Sequence, residues 1–375
     1  MSGTVVVCTR DRQPMLRGCL ASLDDQTAPA DDFDVVVVDN GSTDGTATWL
    51  AHWAAGADPA AGAPGSTGPH APAAGGNPGL TGRHEPAGGG GHTARRRVVT
   101  EPVAGLSRAR NAGIAAASGD VVLFLDDDAL APRGWVDAHL GVYGNAPATA
   151  AAGGPVMLTW PDGRPGWLAP QLEHWFSALD HGDRTGPFPT DHGPYGTNMS
   201  LRRDVLADVG GFTERLGRRR RSLLSSEEAE LWGRLWAAGH GIVYDPATLL
   251  LHRVSSARLS RRWLLRRGWG QGRSNARLRA LTGEVTSRDQ VAHACAGEAG
   301  HAARLAVGAT RAAVRGDTAG AVDAVARCAG HTAAGLEQIW LWVRGDGETG
   351  EGPVRPARAT RTARASPAPG TTEAI

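Results

Sequence analysis

Lysine is absent from this 375-residue chain; all 39 of its basic residues are arginine. A phosphate loop of the GxxxxGK[ST] type needs its lysine to reach the phosphates, so that class of nucleotide hydrolase is excluded. A sugar nucleotidyltransferase, expected to carry a Gly-rich loop and a Pro-Lys signature, ranks low for the same reason. The first apolar run leads instead into Thr9-Arg10-Asp11-Arg12-Gln13-Pro14, which also lacks the GxGxxG of dinucleotide-binding dehydrogenases. Cysteine is scarce. Cys8, Cys19, Cys295 and Cys328 are scattered with no CxxC pair, which argues against a zinc ribbon or a thioredoxin-like site. Cys8 and Cys19 fall in apolar patterns and read as core residues. No apolar run approaches the roughly 20 residues that span a bilayer, and no charged-then-apolar leader opens the sequence. The net charge of +1 gives no general attraction to nucleic acid or anionic lipid. The expectation is a soluble cytoplasmic protein without a nucleic-acid partner. A peripheral contact at the inner face of the membrane stays open because of one Arg- and Trp-rich segment near the C-terminus.

What is present is an alternation of strand and helix. Thr4 to Cys8 is a Val-rich run, and Met15, Cys19, Leu20 and Leu23 then recur at helical spacing. Val35 to Val38 is too apolar for a half-exposed strand and fits the centre of a parallel sheet. It ends at Asp39, and Ser42 or Thr43 is placed to cap the helix that carries Trp49, Leu50 and Trp53. Residues 56–95 are dominated by Gly, Ala and Pro without periodicity and read as a disordered insertion. The alternation resumes with Val98-Val99, a helix through Leu106 and Ile114, and a strand from Val121 to Leu125. This order implies right-handed crossovers, a mostly parallel sheet flanked by helices, and a Rossmann-like α/β class. Further on, helices are expected over "WLAPQLEHWFSAL", "SLRRDVLADVGGF" and "SSEEAELWGRLWAAGH", the last with Ser226 as cap, and strands over "AAAGGPVML" and "GIVYD". Beyond His252 the chain is Arg-rich and helical to about Val343. The expected division is a domain over 1–255, a helical C-terminal extension over 256–344, and a disordered tail over 345–375.

Ligands bind beyond the carboxyl ends of strands in such sheets. Thr9, Asp39 and Asp126 all sit at those ends. Asp126-Asp127-Asp128 poses the sharpest question, because three like charges at the end of a buried strand repel one another and resist desolvation. The plain alternative is an acidic turn facing water. Alternate carboxylates in that position instead suit a hard divalent cation such as Mg²⁺ or Mn²⁺, with room left for phosphate oxygens. "SRARNAG" adds Arg108 and Arg110 at a helix start, where guanidinium and macrodipole both favour an anion.

Taken in order, Thr9-Arg10-Asp11-Arg12, "VVVVDNGSTDGT", "GLSRARNAG", "GDVVLFLDDDALAP", "GTNMSLRRDVLADVGGF" and "EEAELWGRLWAAG" resemble the family 2 glycosyltransferases. The resemblance covers roughly Gly3 to His252 apart from the insertion. It implies the GT-A fold and a metal-dependent, inverting, non-processive transfer of a sugar from a nucleoside-diphosphate sugar, with UDP the first choice of carrier. The acceptor is a hydroxyl on a glycan, a lipid-linked compound or a small molecule. A degenerate domain that binds a nucleotide sugar or a protein without catalysis is the alternative. The resemblance places Thr9 and Arg10 in the nucleotide pocket, Asp39 at the base, Arg110 near base or diphosphate, Asp127 at the ribose, and Asn198 beside the donor sugar. Asp126 and Asp128 bracket a DxD-like motif. Asp128, Asp126 and His252 are the implied metal ligands, His252 having the equal alternative of a satisfied strand-end histidine.

The family's acidic pair falls on Glu227-Glu228, with Glu228 where Asp is usual; it is the expected general base. Arg234 is expected to pair with Glu230 at i,i+4. The segment with Trp263, Leu264, Leu265 and Trp269 among arginines suits either a helix packed on the domain or one lying on a lipid surface.

Overall fold

The computed structural model describes residues 1–56, 94–188, 193–219 and 222–344. The expected insertion at 56–95 lies almost wholly outside these residues, and the expected tail at 345–375 entirely so. The N-terminal half alternates as the sequence patterning implies: β1 (Gly3–Thr9), α1 (Gln13–Asp24), β2 (Phe33–Asp39), α2 (Thr46–Ala54), β3 (Arg95–Thr100), α3 (Leu106–Ala116), β4 (Val121–Asp126), a short β5 (Ala129–Leu130) and α4 (Trp135–Asn145). There follow β6 (Ala151–Gly153), β7 (Val156–Thr159), β8 (Gly186–Pro187), β9 (Asn198–Arg202), α5 (Arg203–Val209), α6 (Glu227–Ala237), β10 (Ile242–Tyr244) and β11 (Leu250–Arg253). Three long helices, α7 (Arg261–Thr282), α8 (Arg288–Val314) and α9 (Thr318–Arg344), close the described chain.

The main sheet has the order β3-β2-β1-β4-β9-β6-β10-β8. β1 pairs in parallel with β2 and β4, and β2 with β3; β9 runs antiparallel to both β4 and β6. A second, three-stranded sheet of order β5-β11-β7 stands beyond the end of β4. Alternation along the strands splits the core in two. Val5, Val7, Val35, Val37, Leu123 and Leu125 pack on α1, α2 and α4 through residues such as Leu16, Leu20, Trp49 and Trp135. Val6, Val36, Val38, Val122 and Phe124 face α3, α5 and α6 through Ala109, Leu206, Leu231 and Trp232. All seven residues of β2 are buried, as a strand covered on both faces must be.

Four local expectations differ. "AAAGGPVML" is two strands in different sheets, because Gly154 and Pro155 interrupt it. "WLAPQLEHWFSAL" shortens to a 3-10 helix over Pro170–Phe176, opened by a proline and ended by Ser177 at φ 69°. Helix α2 begins after Gly45, and neither Ser42 nor Thr43 caps it. Ser226 precedes α6 at φ 74° and makes no cap bond; its hydroxyl accepts instead from Gln271 Nε2 at 3.2 Å.

The C-terminal helices are welded to the rest of the chain. Trp263 of α7 stacks on Phe176, with centroids 5.0 Å apart and planes 9° from parallel. Leu264, Ala319 and Ala326 join Leu168, Leu172 and Val254 in a third core cluster. Helices α7 and α9 approach closely enough that a Cβ on Gly272 would strike the Gly330 carbonyl. Arg273 and Arg277 both pair with the buried Glu337 of α9, each through Nε at 2.7 Å. On α7, Trp263 and Leu264 point inward. Leu265 and Trp269, 38 % and 42 % exposed, share the outer face with Arg262 and Arg266.

Candidate active site

The strand ends of β1 and β4 deliver the acidic triplet to a cavity of about 330 Å³, and arginines hold it there. Asp127 accepts from Thr9 Oγ1 at 2.8 Å and from Arg12 Nη1 at 2.7 Å. The same Arg12 nitrogen lies 3.0 Å from Asp128 Oδ2, which also accepts from Arg258 Nη2 at 2.9 Å. Like charges 4 Å apart repel by roughly 4 kcal/mol at an effective dielectric of 20. Two adjacent buried carboxylates are therefore tolerable only with cations of this number and closeness. Burial pushes the Asp127 carboxyl up, more than Arg12 draws it down. Burial acts on Asp128 too, but His252, Arg258 and Arg12 together hold it well below the usual carboxylate range.

His252 bears on whether a metal fits. Its Nδ1 lies 2.9 Å from the Phe176 carbonyl, which only accepts, so that nitrogen carries the hydrogen. Nε2 then faces Asp128 Oδ1 at 3.4 Å, and this buried oxygen has no hydrogen-bond partner among the described residues. With Nε2 protonated, the imidazolium is itself the cation that holds Asp128 down; with Nε2 unprotonated, its lone pair and this oxygen can share a metal ion instead. The full expected trio does not form. Among the described residues no three His, Cys, Asp or Glu side chains converge as a metal site. Asp126 is drawn toward Arg110, Nη2 to Oδ1 3.6 Å, and Arg258 occupies the space beside Asp128, with its Nη1 3.4 Å from His252 Nε2. The Asp128–His252 pair fits a divalent ion, and Asp126 is a neighbour of that pair.

Arg110 is the hub of a second cluster. It is 2 % exposed, and its Nη1 lies 3.0 Å from Glu227 and 3.2 Å from Glu228. Glu227 is buried, whereas the Glu228 side chain is 21 % exposed. Burial and the neighbouring Glu228 charge raise the Glu227 carboxyl. Glu228 feels the same burial, but Arg110 keeps it below the ordinary glutamate value. Gly196 makes this approach possible: a Cβ there would collide with the Arg110 guanidinium and with Glu228 Oε1. Arg234 grips Glu230 through two bonds of 2.8 Å, the i,i+4 pair the sequence implies, and reaches back to the Val209–Gly211 carbonyls at the end of α5. That clamp fixes the start of α6, and with it Glu228.

Glu228 opens into a cavity of about 740 Å³, within the usual range for a small-molecule site. Leu106, Asp126 and Arg218 line both cavities, so the two share a seam.

Of the residues singled out in the sequence, Thr9, Arg10, Asp126, Asp127 and Asp128 line the first cavity, while Arg110 and Glu228 line the second. Asp39, Asn198 and His252 line neither, His252 meeting the first cavity only through Asp128; nor does Arg108, which pairs with Glu214. Asp39 is buried and accepts from the Ser42 N–H at 3.0 Å, serving the turn. Its neighbour Asn40 lines the first cavity instead and ties the 101–105 loop to β2, accepting from Gly105 N at 2.8 Å. Asn198 is fully buried on the opposite face of the sheet. Its oxygen meets Trp135 Nε1 at 2.9 Å and His139 Nε2 at 3.1 Å, and its amide donates to the Thr248 carbonyl at 2.8 Å. Burial lowers the His139 pKa to about 4, so the network is neutral. Asn198 is thus a structural strut, because strand parity sends 198 and 200 toward α4. Arg12, Asn40, Arg218, Arg258 and Arg267 were not singled out. The signal available for Arg12 and Arg258 is a charge count: three acids at a strand end demand cations from the loops nearby.

Comparison with known proteins bears on this geometry. Residues 4–61 and 92–210 match the model of glycosyl transferase family 2. This part of the chain is a family 2 glycosyltransferase domain. The match ends before Glu227 and Glu228. A glucosyl-dolichyl phosphate glucuronosyltransferase of Haloferax volcanii is 30% identical over 171 residues, covering 45% of this chain and 54% of the relative. A pre-mycofactocin glycosyltransferase of Mycobacterium tuberculosis is 32% identical over 151 residues, 40% of this chain and 30% of the relative. The chain thus spans about half, or less, of the curated relatives it matches. A mannosyltransferase from Pyrobaculum calidifontis, solved in complex with GDP-Man and Mn²⁺, superposes with a TM-score of 0.52 at 20% identity. That likeness covers 90% of this chain and 87% of the other, so the shared fold reaches beyond the sheet-bearing part into the helical C-terminal region.

Proposed function

We propose that this chain is an inverting glycosyltransferase that moves one sugar from a nucleoside-diphosphate sugar to a hydroxyl acceptor. The observation that carries it is the pair of cavities joined at Asp126, one holding the acidic triplet and the other the ionised Glu228. The donor nucleotide occupies the first cavity against Thr9, Arg10 and Asn40, with its diphosphate toward Asp126–Asp128. Asp128 and His252 would hold a Mn²⁺ or Mg²⁺ ion, with Asp126 beside them; when bound, the ion neutralises the leaving diphosphate. Glu228 accepts the proton of the acceptor hydroxyl, and that oxygen attacks the anomeric carbon as the bond to the diphosphate oxygen breaks. Attack from the second cavity comes from the face opposite the diphosphate, which inverts configuration. Arg110 keeps Glu228 ionised without taking up its outward-facing side.

The acceptor class is also proposed. One relative is named for glucosyl-dolichyl phosphate and another for pre-mycofactocin, and the outer face of α7, with Arg262 and Arg266 beside Leu265 and Trp269, suits a lipid headgroup layer. Among the described residues no helix is long and apolar enough to cross a membrane.

Donor hydrolysis tests the reaction without a known acceptor. Proton NMR of a nucleotide sugar incubated with the protein and Mn²⁺ should show first the sugar anomer opposite to the donor's; retained configuration contradicts the proposal. Asp128→Asn tests the ion site by thermal denaturation. The extra rise in Tm that Mn²⁺ adds to nucleoside-diphosphate binding should vanish in the variant, and its persistence would move the ion elsewhere.

A further inference from the structure

The larger cavity carries a charge arrangement that the transfer chemistry above does not use. Arg267 of α7 lines only this cavity, and Arg218 stands at the seam. Among the described residues the Arg267 guanidinium reaches a single partner, Ser225 Oγ, at 3.4 Å. Arg110, by contrast, is spoken for by three carboxylates. Arg327 on the far wall has Asp323 at 3.7 Å. Burial, followed by the like charge of Arg218, lowers the Arg267 pKa to about 10, still charged at neutral pH. Among the described residues neither guanidinium has a carboxylate at ion-pair distance; Glu227 and Glu228 act on both from farther off but are already engaged by Arg110, so an anion that bridges the two arginines relieves their mutual repulsion.

We infer that Arg267 and Arg218 receive a phosphate group carried by the acceptor, next to the hydroxyl that Glu228 deprotonates. The inference rests on the glycosyltransferase reading and adds the acceptor's chemical class. Position selects acceptor over donor. The donor's diphosphate belongs at Asp126–Asp128 in the first cavity, which Arg267 does not line. Phosphate suits the pair because it offers three oxygens to two planar donor forks. The volume of about 740 Å³ holds a sugar phosphate or the head of a lipid phosphate. Gln271, which also lines the cavity, donates to Ser226 Oγ at 3.2 Å and so links this wall to the turn that presents Glu227 and Glu228.

The test is calorimetric titration of the full chain already saturated with a nucleoside diphosphate and Mg²⁺. The probes are inorganic phosphate, glucose 1-phosphate and decyl phosphate. At least one should bind together with the nucleotide. Arg267→Gln should weaken that binding at least about tenfold while the nucleotide Kd stays within about twofold, and Arg267→Lys should recover part of the loss. Tighter decyl phosphate assigns the anion to a lipid headgroup and tighter glucose 1-phosphate to a soluble sugar phosphate; either supports the inference. Displacement of nucleotide by phosphate, or binding indifferent to Arg267→Gln, overturns it. Nucleotide binding without any phosphate binding sinks this inference alone. Absence of nucleotide binding sinks the glycosyltransferase reading, and this inference with it.

Discussion

Glu228→Gln should lower kcat by about 10²–10⁴-fold, the usual worth of a general base, while donor affinity stays within about twofold. Glutamine keeps the shape of the side chain and can still accept from Arg110, but its amide cannot take a proton from the acceptor hydroxyl. Glu227→Gln is the informative comparison. Glu227 lines the same cavity and shares the same arginine, but its side chain is only 2 % exposed against 21 % for Glu228. Steady-state kinetics on both variants, with folding checked by circular dichroism, decides between them. Full turnover by Glu228→Gln, with loss in Glu227→Gln, would reassign the base.

Arg110→Met should cost about 3–5 kcal/mol of stability, because it strands buried acids rather than merely removing a pair. The loss shows as an earlier midpoint in denaturant unfolding, and activity falls with it. Its pH dependence has a definite sign. Without Arg110, burial and the mutual repulsion of Glu227 and Glu228 outweigh the remaining pull of Arg218, and their folded-state pKa values rise above the unfolded ones. The penalty is then full at pH above those raised values and shrinks as pH falls and the carboxyls protonate. The gap between wild type and variant should therefore be wider at pH 8 than at pH 5. A gap that widens toward acid would show that Arg110 does not act through these carboxylates.

Much of this arrangement is legible in the chain because the signals are local. Val-rich runs ending in Thr9, Asp39 and Asp126 fix β1, β2 and β4 and the rim they share. The Glu230–Arg234 spacing is a helix contact and needs nothing from the tertiary fold. What escapes is long-range pairing. Arg12 and Arg258 meet Asp128 across 116 and 130 residues, and nothing in either local sequence says which acid they serve. Asn198 sits in a motif associated with the site, yet the parity of β9 turns it toward His139 and Trp135. Asp39 shows the same limit on a smaller scale: a strand-end acid either faces a ligand or closes its own turn, and the backbone after Asn40 decides for the turn. The three aspartates of the DxD-like stretch persist at the strand end because arginines brought from distant loops surround them. A charge count could anticipate that surplus but could not locate it.

The central claim is that donor and acceptor meet at the seam marked by Asp126 and Arg218. A crystal structure of the full chain with a non-hydrolysable nucleoside-diphosphate sugar and Mn²⁺ tests it most directly. The account predicts the diphosphate against Asp126–Asp128 and the sugar at the seam, with the Glu228 carboxylate facing the anomeric carbon from the side away from the diphosphate. A nucleotide bound outside the first cavity, or a sugar whose anomeric carbon turns its leaving-group side to Glu228, would contradict it.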